Sequence, residues 1–370
     1  MTKFSRWYRE IGLPAGLLAS LIIGAGIFAL PFVFHEAGFL LGLFYLAVFA
    51  LVFVVVHRMY ADVIESTEGR HRFVGYAKIY FKKWGFVTSI FTTAIGFTLT
   101  LVAYIALAGD FIRLIAPGLP GGYAPYVFWA IGSLAVILSL KRLANLEFSI
   151  TAAIGLIVLA LFVAGIFFGD APNIQRVDFS KAFLPYGVVL FALAGRAAIS
   201  SIVDYYENKK LSKEKMIRSI SLGTIAPAVI YLFFVLAVLF LSGDGVSPDS
   251  LSGLSSAPYP LLFLAGILGV FALLTSYFFL SIEVGDIFRY DFKFNKFLAI
   301  AAVIILPIWL YSAGFSNFIW LIALVGGVFL AMDSIMTIAM YSKIKGWKLS
   351  AIILVVLFAA GAVFEAMSLL

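Results

Sequence analysis

The chain has 370 residues, 63% of them hydrophobic and 12% charged, with a mean hydropathy of +1.09. That is too little polar surface to cover a soluble globule, and apolar runs of about 20 residues fill so much of the length that no separate soluble catalytic domain remains. The net charge of +7 is not in itself a nucleic-acid footprint, because membrane proteins carry Lys and Arg to set orientation, and the absence of cysteine excludes disulfides, thiolate metal ligands and thiol nucleophiles.

In chain order, residues 1–10 are basic, and the apolar run behind them lacks a small-residue cleavage site and outlasts the apolar part of a signal peptide. It reads as a retained first span. Spanning helices are predicted near 11–34, 38–56, 86–114, 123–140, 146–168, 185–205, 217–241, 259–287, 297–313, 316–342 and 349–368, giving an all-α polytopic membrane protein of about eleven helices in one transmembrane domain, 1–370. With the N-terminus cytoplasmic, the outer segments hold only Arg113, Arg176 and Lys181 of the 26 basic residues, and Arg196 lies within a span. The rest fall inside, which predicts an N-in, C-out protein of the cell membrane. Between the second and third spans, Phe73, Tyr76, Ala77, Tyr80, Phe81 and Trp84 recur at helical spacing beside Lys78, Lys82 and Lys83, the pattern of an amphipathic helix on the inner face or of a solvated linker. The outer segment 242–260 is rich in Gly, Ser and Pro and contains Asp244 and Asp249. It reads as a connector or as a lid.

Two spans are interrupted. The first contains Gly24-Ala25-Gly26 and Pro31, and the sixth contains Ala192-Leu193-Ala194-Gly195-Arg196 near its centre. Small residues inside a span serve close helix packing or mark a break, and a break is tolerated only where the freed backbone lines a cavity or is buried in protein. Two such spans five helices apart indicate an inverted repeat, about 11–168 and 185–342, followed by an extra helix at 349–368. Amides freed at the start of a half-helix suit a carboxylate, and carbonyls freed at the end of one suit an ammonium or a metal cation. A zwitterion satisfies both.

The run Ile23-Gly24-Ala25-Gly26-Ile27-Phe28 with Pro31 resembles the first-helix signature of the amino acid-polyamine-organocation superfamily, which has the LeuT-type fold. The stretch Pro185-Tyr186-Gly187 through Gly195, followed by Gly223-Thr224-Ile225-Ala226-Pro227, is similar to the amino acid/auxin permease branch with its aromatic amino acid permeases. The resemblance implies a secondary amino-acid transporter working by alternating access, in which helices 1, 2, 6 and 7 rock against the rest and Pro31 and Pro227 shape the bends. The backbone of Gly24, Ala25 and Gly26 would hold the substrate carboxylate. Phe191, Ala192, Leu193 and Ala194 would offer carbonyls to the amine, with Gly195 permitting the break. Thr98 and Tyr104 lie at depths that line the pocket or pack in the bundle.

The resemblance also implies a coupling ion, sodium or a proton, and no other cofactor. A sodium site would comprise the hydroxyls of Thr275 and Ser276 with carbonyls of Ser20, Ile23 and Ala272, unless Thr275 and Ser276 bond back to their own helix. No lysine occupies the fifth span to replace that ion, and Glu147, Asp333 and Glu365 remain as proton carriers. Arg196 departs from the family pattern, and a charge at mid-membrane needs a partner or a water-filled cavity. It pairs with a carboxylate such as Asp333, binds an anionic substrate group, or stands in for the coupling cation, which would make the protein an exchanger or uniporter. Asp110 and Arg113 form a gate or an interface ion pair, and Glu283 and Asp286 lie at the inner end of the eighth span.

Other classes fit less well. No paired aspartates, His-rich ligand set or based serine supports an intramembrane enzyme, and Ser200-Ser201 has no identifiable base. His35, His57 and His71 lack metal-ligand spacing, and Gly24-Ala25-Gly26 and Ala192-Leu193-Ala194 lack the Asp-Pro-Gly and methionine of metal-ion transporters with this fold. A non-transporting amino-acid sensor is disfavoured by the short tails. The partners expected are an amino-acid substrate and the lipid bilayer, with no nucleic acid, and the oligomeric state is left open.

Overall fold

The first apolar run does not continue as one helix. In the computed structural model, which describes residues 3–120, 122–137, 142–169, 176–242, 245–254 and 256–369, helix α1 (Phe4–Ile22) ends at Ile23 and α2 (Ala25–Ala37) leaves at 52° to it. The turn falls at Ile23 and Gly24, and Pro31 sits in the first turn of the α-helical part of α2, where its missing N–H costs nothing. The chain then forms α3 (Phe39–Ser66) and α4 (Phe73–Ile115). Next come α5 (Ala124–Ile137) and α6 (Arg142–Phe168). The sixth apolar run is broken like the first, into α7 (Leu184–Ala192) and α8 (Arg196–Asn208). The remainder is α9 (Lys213–Leu241), α10 (Tyr259–Asp291), α11 (Lys296–Ser312), α12 (Phe318–Lys345) and α13 (Leu349–Ser368).

Among the described residues there is no strand. Among the described residues eight helices, with α7 and α8 counted together, are long and apolar enough to cross a membrane, or nine when α1 and α2 also count as one span. α5 and α11 occupy the places of the expected fourth and ninth spans, but at 14 and 17 residues they fall short of about 20. α5 borders residues 138–141, which lie outside the described residues, as do Asp244 and the side chain of Glu147.

The expected amphipathic helix is the first part of α4. Lys82, at φ 55° and ψ −135°, bends it away from the span, so the two segments meet at an angle. Its apolar residues Phe73, Val74, Tyr76 and Ala77 are buried against the protein, while Ile79 and Trp84 face outward. The 242–260 segment folds inward. Asp249, Ser250, Leu251 and Leu254 are buried, and Ser250 Oγ donates to the Phe28 carbonyl at 2.6 Å.

α7 packs on α12 without intervening side chains. A Cβ on Gly187 would strike the Ala323 carbonyl, and one on Gly326 would overlap the Gly187 carbonyl. Neither clash is with a flexible side-chain end, so the backbone would have to move. Gly326→Val is expected to cost about 3 kcal/mol or more, seen as loss of monodisperse protein in detergent or a clear fall in Tm, and a variant as stable as wild type would contradict this packing.

Candidate functional site

The two breaks face each other with their polar ends crossed. A Cβ on Gly26, at the start of α2, would lie 2.6 Å from Ala192 Cα, at the end of α7. Equally, a Cβ on Gly195, just before α8, would lie 2.6 Å from Ile22 Cγ1, at the end of α1. Each helix start therefore abuts a helix end, and the partial positive and negative charges of the half-helices alternate around one small volume. Among the described residues the amides of Ala25, Gly26, Gly195, Arg196 and Ala197 donate to no carbonyl outside their own helices, whereas Ile23, Gly24, Leu193 and Ala194 donate to carbonyls of Ala19, Ile22, Val189 and Phe191. Gly24 is open on its pocket side, with the Tyr104 hydroxyl 3.9 Å from where a Cβ would stand.

Tyr231 of α9 joins the breaks. Its fully buried hydroxyl lies 2.7 Å from the Ile22 carbonyl and 2.9 Å from the Ala192 carbonyl, so one proton is shared between the ends of α1 and α7. Sequence reading passed over this residue, because a tyrosine in an apolar run looks like core. The only available signal was a phenol at membrane depth, which needs a partner.

Of the other expected pocket residues, Ala25, Gly26, Ala192, Leu193 and Gly195 are buried, and Phe191, Ala194 and Arg196 are partly exposed. Tyr104 is buried beside Gly24, whereas Thr98 Oγ1 donates to Ala94 of its own helix at 2.7 Å. In the expected ion set, Thr275 Oγ1 donates to the Ala272 carbonyl at 3.0 Å and Ser20 Oγ to the Leu17 carbonyl at 2.9 Å. These hydroxyl oxygens keep lone pairs, so they fit a hard cation while also satisfying their own helices. Ile23 is buried at the break, and Ser276 is half-buried on α10.

Arg196 is paired. Its Nη2 lies 2.8 Å from Asp333 Oδ2 on α12, and Asp333 Oδ1 accepts from Thr92 of α4 at 2.7 Å. The guanidinium carbon sits 3.5 Å from the Phe73 ring centroid, a cation–π contact with the amphipathic segment. A cavity of about 240 Å³ opens beside it, lined by Phe73, Thr93, Phe97, Arg196, Ser201 and Glu283 among others. A second, of about 280 Å³, lies between α1 and α8 and includes Leu17, Ser20, Ser201 and Tyr205. Both lie on the side of the molecule that carries the N-terminus.

The opposite side is closed. Phe28 stands edge-on to Phe111 at 4.7 Å and to Phe234 at 5.8 Å, with Ser250 on its carbonyl. Asp110 pairs with Arg113, and Lys181 with Glu36. Lys181, outside the spans, is held above its ordinary pKa chiefly by its hydrogen bond to Glu36. Among the described residues no group of His, Asp and Glu has metal-holding geometry.

Residues 11–243 match the tryptophan/tyrosine permease family. The chain belongs to that family. It is also 23% identical over 310 residues to glutamine transporter 2 of Aliivibrio fischeri, covering 79% of this chain and 78% of that protein. Solved structures share its fold. The Eremococcus coleocola manganese transporter aligns at 15% identity and TM-score 0.64, covering 99% of this chain and 88% of that one. MhsT in complex with L-phenylalanine aligns at 14% identity and TM-score 0.66, covering 96% and 98%. Mhp1, a nucleobase-cation-symport-1 family transporter, aligns at 14% and 0.60, covering 90% and 78%. The chain is thus a multi-pass membrane permease of LeuT-type fold.

The Arg196–Asp333 pair is only 18% and 5% exposed. Removing one partner leaves a charge uncompensated, so Arg196→Met alone is expected to lower stability by about 3–5 kcal/mol, with Arg196→Met/Asp333→Leu recovering most of it. Thermal unfolding of Arg196→Met, Asp333→Leu and the double variant checks this, and a double-variant loss equal to the sum of the two single losses would show that the pair is not coupled.

Proposed function

We propose that this permease is a secondary transporter of a neutral amino acid, driven by alternating access and coupled to a cation, sodium or a proton. The observation that carries this reading is the crossed pair of helix breaks, which offers helix-start amides at one pole and helix-end carbonyls at the other. A free α-carboxylate and α-ammonium match that polarity. The relative's glutamine transport, the family's tryptophan and tyrosine, and the phenylalanine bound to MhsT all supply the same zwitterion.

In this reading the amides of Ala25 and Gly26 face the carboxylate beside Tyr104, and the Phe191, Leu193 and Ala194 carbonyls face the amine. Tyr231 occupies part of the Ala192 acceptor capacity. Asp333 neutralises Arg196, which favours a neutral over an acidic substrate. The half-repeats are 11–168 and 185–342 with 349–368 appended, the N-terminus is cytoplasmic, and the superfamily is the amino acid-polyamine-organocation group. The two cavities are then the cytoplasmic way to the site, and the form described here faces inward.

A manganese-type cargo is not supported, because the first break presents Gly24-Ala25-Gly26 with no carboxylate and the second presents Ala192-Leu193-Ala194 with no thioether. The second reading is an exchanger in which Arg196 replaces the coupling cation. It is favoured by one detail, a buried Nη1 on Arg196 that has no hydrogen-bond partner among the described residues.

Two measurements test the proposal. Proteoliposomes given a panel of labelled amino acids under separate sodium and proton gradients are expected to concentrate at least one neutral amino acid under one of them. Exchange without response to either gradient would favour the Arg196 reading, and no transport of any amino acid would end the substrate assignment. Separately, Gly24→Val is expected to fold, since only the Tyr104 hydroxyl is near, yet to weaken substrate binding about tenfold or more by filling the carboxylate position. Unchanged affinity in that variant would remove the broken-helix site.

A further inference from the structure

Glu365 is a buried acid that the substrate site does not use. It lies on α13, about 24 Å along the helix from its N-terminal end at Leu349, on the side opposite the N-terminus, and is 3% exposed. Its side chain runs over Gly327, where a Cβ would come within 2.9 Å of the carboxyl carbon, so a bare backbone provides its seat. Residues 325–330 there form a π-turn, a wide form of helix common at working sites.

The carboxyl group touches three elements that are expected to move relative to one another. It lies near the Gly187 amide at the start of α7, whose far end carries Ala192 at the second break. It rests on α12, and its own helix packs beside both. Among the described residues, Oε2 has no hydrogen-bond partner, and no ion pair reaches Glu365.

The titratable groups that face it are phenols. Tyr186 of α7 donates to the Phe358 carbonyl at 3.2 Å, and Tyr45 of α3 is close enough to interact with its charge. The part of α12 beneath it, residues 318–330, has no ionisable side chain, and no other ionisable residue lies on α13. With no cation beside it and one bare oxygen, the docked arrangement of α7 on α12 accommodates a neutral carboxyl better than a carboxylate.

We propose that Glu365 is a pH-sensing residue that sets how firmly α7 docks on α12 and hence how readily the face opposite the N-terminus opens. In its neutral form it seats over Gly327 and the face stays shut, as here. Ionised, it requires water, which reaches it only when α7 and α12 part. Low pH on that face therefore favours the closed form and high pH the open one. The functional consequence rests on the transport reading above, but the protonation switch itself is measurable without substrate.

The absence of cysteine in the chain makes labelling clean. Spin labels on Phe179→Cys, just before α7, and Tyr259→Cys, at the start of α10, occupy exposed positions on this face. Their separation in nanodiscs is expected to be short at about pH 6 and to gain a longer component by about pH 9, the open fraction rising about tenfold, within the usual range for coupled sites. Glu365→Gln is expected to remain short at both. Gly327→Ala, which displaces the side chain from its seat, is expected to show the longer component already at about pH 6, and it serves if Glu365→Gln does not fold. An unchanged wild-type distance, or an equal pH response in Glu365→Gln, overturns the proposal. The latter would assign the response to another group on this face, which the substitution leaves in place. If the distances follow Glu365 but no amino acid is exchanged by proteoliposomes, the switch stands and the transport reading falls.

Discussion

A chain can abandon the helical hydrogen-bond pattern inside a bilayer only where other groups satisfy the amides and carbonyls it frees. This constraint organises the molecule. Each break supplies what the other lacks, because α1 ends against the start of α8 and α7 ends against the start of α2. Glycine at 26 lets its backbone approach that of Ala192 to a separation that a side chain would prevent, and glycine at 195 leaves room for the Leu18 and Ile22 side chains. Tyr231 then ties the two carbonyl ends together, so the breaks form one polar centre instead of two separate faults. The amides at the two helix starts find no carbonyl partner across the break, and that polarity is what the proposed substrate would complete.

The charge next to this centre is arranged with equal economy. Arg196 begins α8, where the half-helix already carries partial positive charge, so it would be unfavourable without an anion. Asp333 supplies one from α12, Thr92 of α4 orients it, and the Phe73 ring covers the guanidinium. Both segments of α4 and the helix α12 are thereby fastened at the start of one half-helix. The ions on the N-terminal side repeat the pattern at the surface, where Arg70 meets Asp204 and Glu207, and Lys215 meets Glu10 at 2.8 Å. Being exposed, these pairs contribute less each and break more easily, which suits a side that has cavities.

Much of this was legible in the sequence, for identifiable reasons. Apolar length locates most spans, and the Gly24-Ala25-Gly26 and Ala194-Gly195 clusters locate the breaks, because helix propensity collapses there. The helical spacing of Phe73, Tyr76 and Ala77 gives the amphipathic segment. What that segment covers was not legible, since Arg196 lies more than a hundred residues away. Thr98 and Thr275 remained ambiguous in sequence because a hydroxyl in a span bonds equally well to its own helix, as both do here. Tyr231 and Glu365 were hidden or undecided for the same reason. Their roles come from what the fold sets opposite them, a pair of carbonyls in one case and a bare glycine in the other.

The loop over Phe28 has a mechanical consequence. Ser250 has φ 63°, a left-handed conformation that costs a non-glycine residue about 1 kcal/mol or more, and it is held there by burial and by its bond to the Phe28 carbonyl. The loop therefore behaves as a sprung catch. Releasing Phe28 would return that backbone energy and offset part of the lost hydrogen bond, so the catch holds less firmly than an unstrained contact with the same bond.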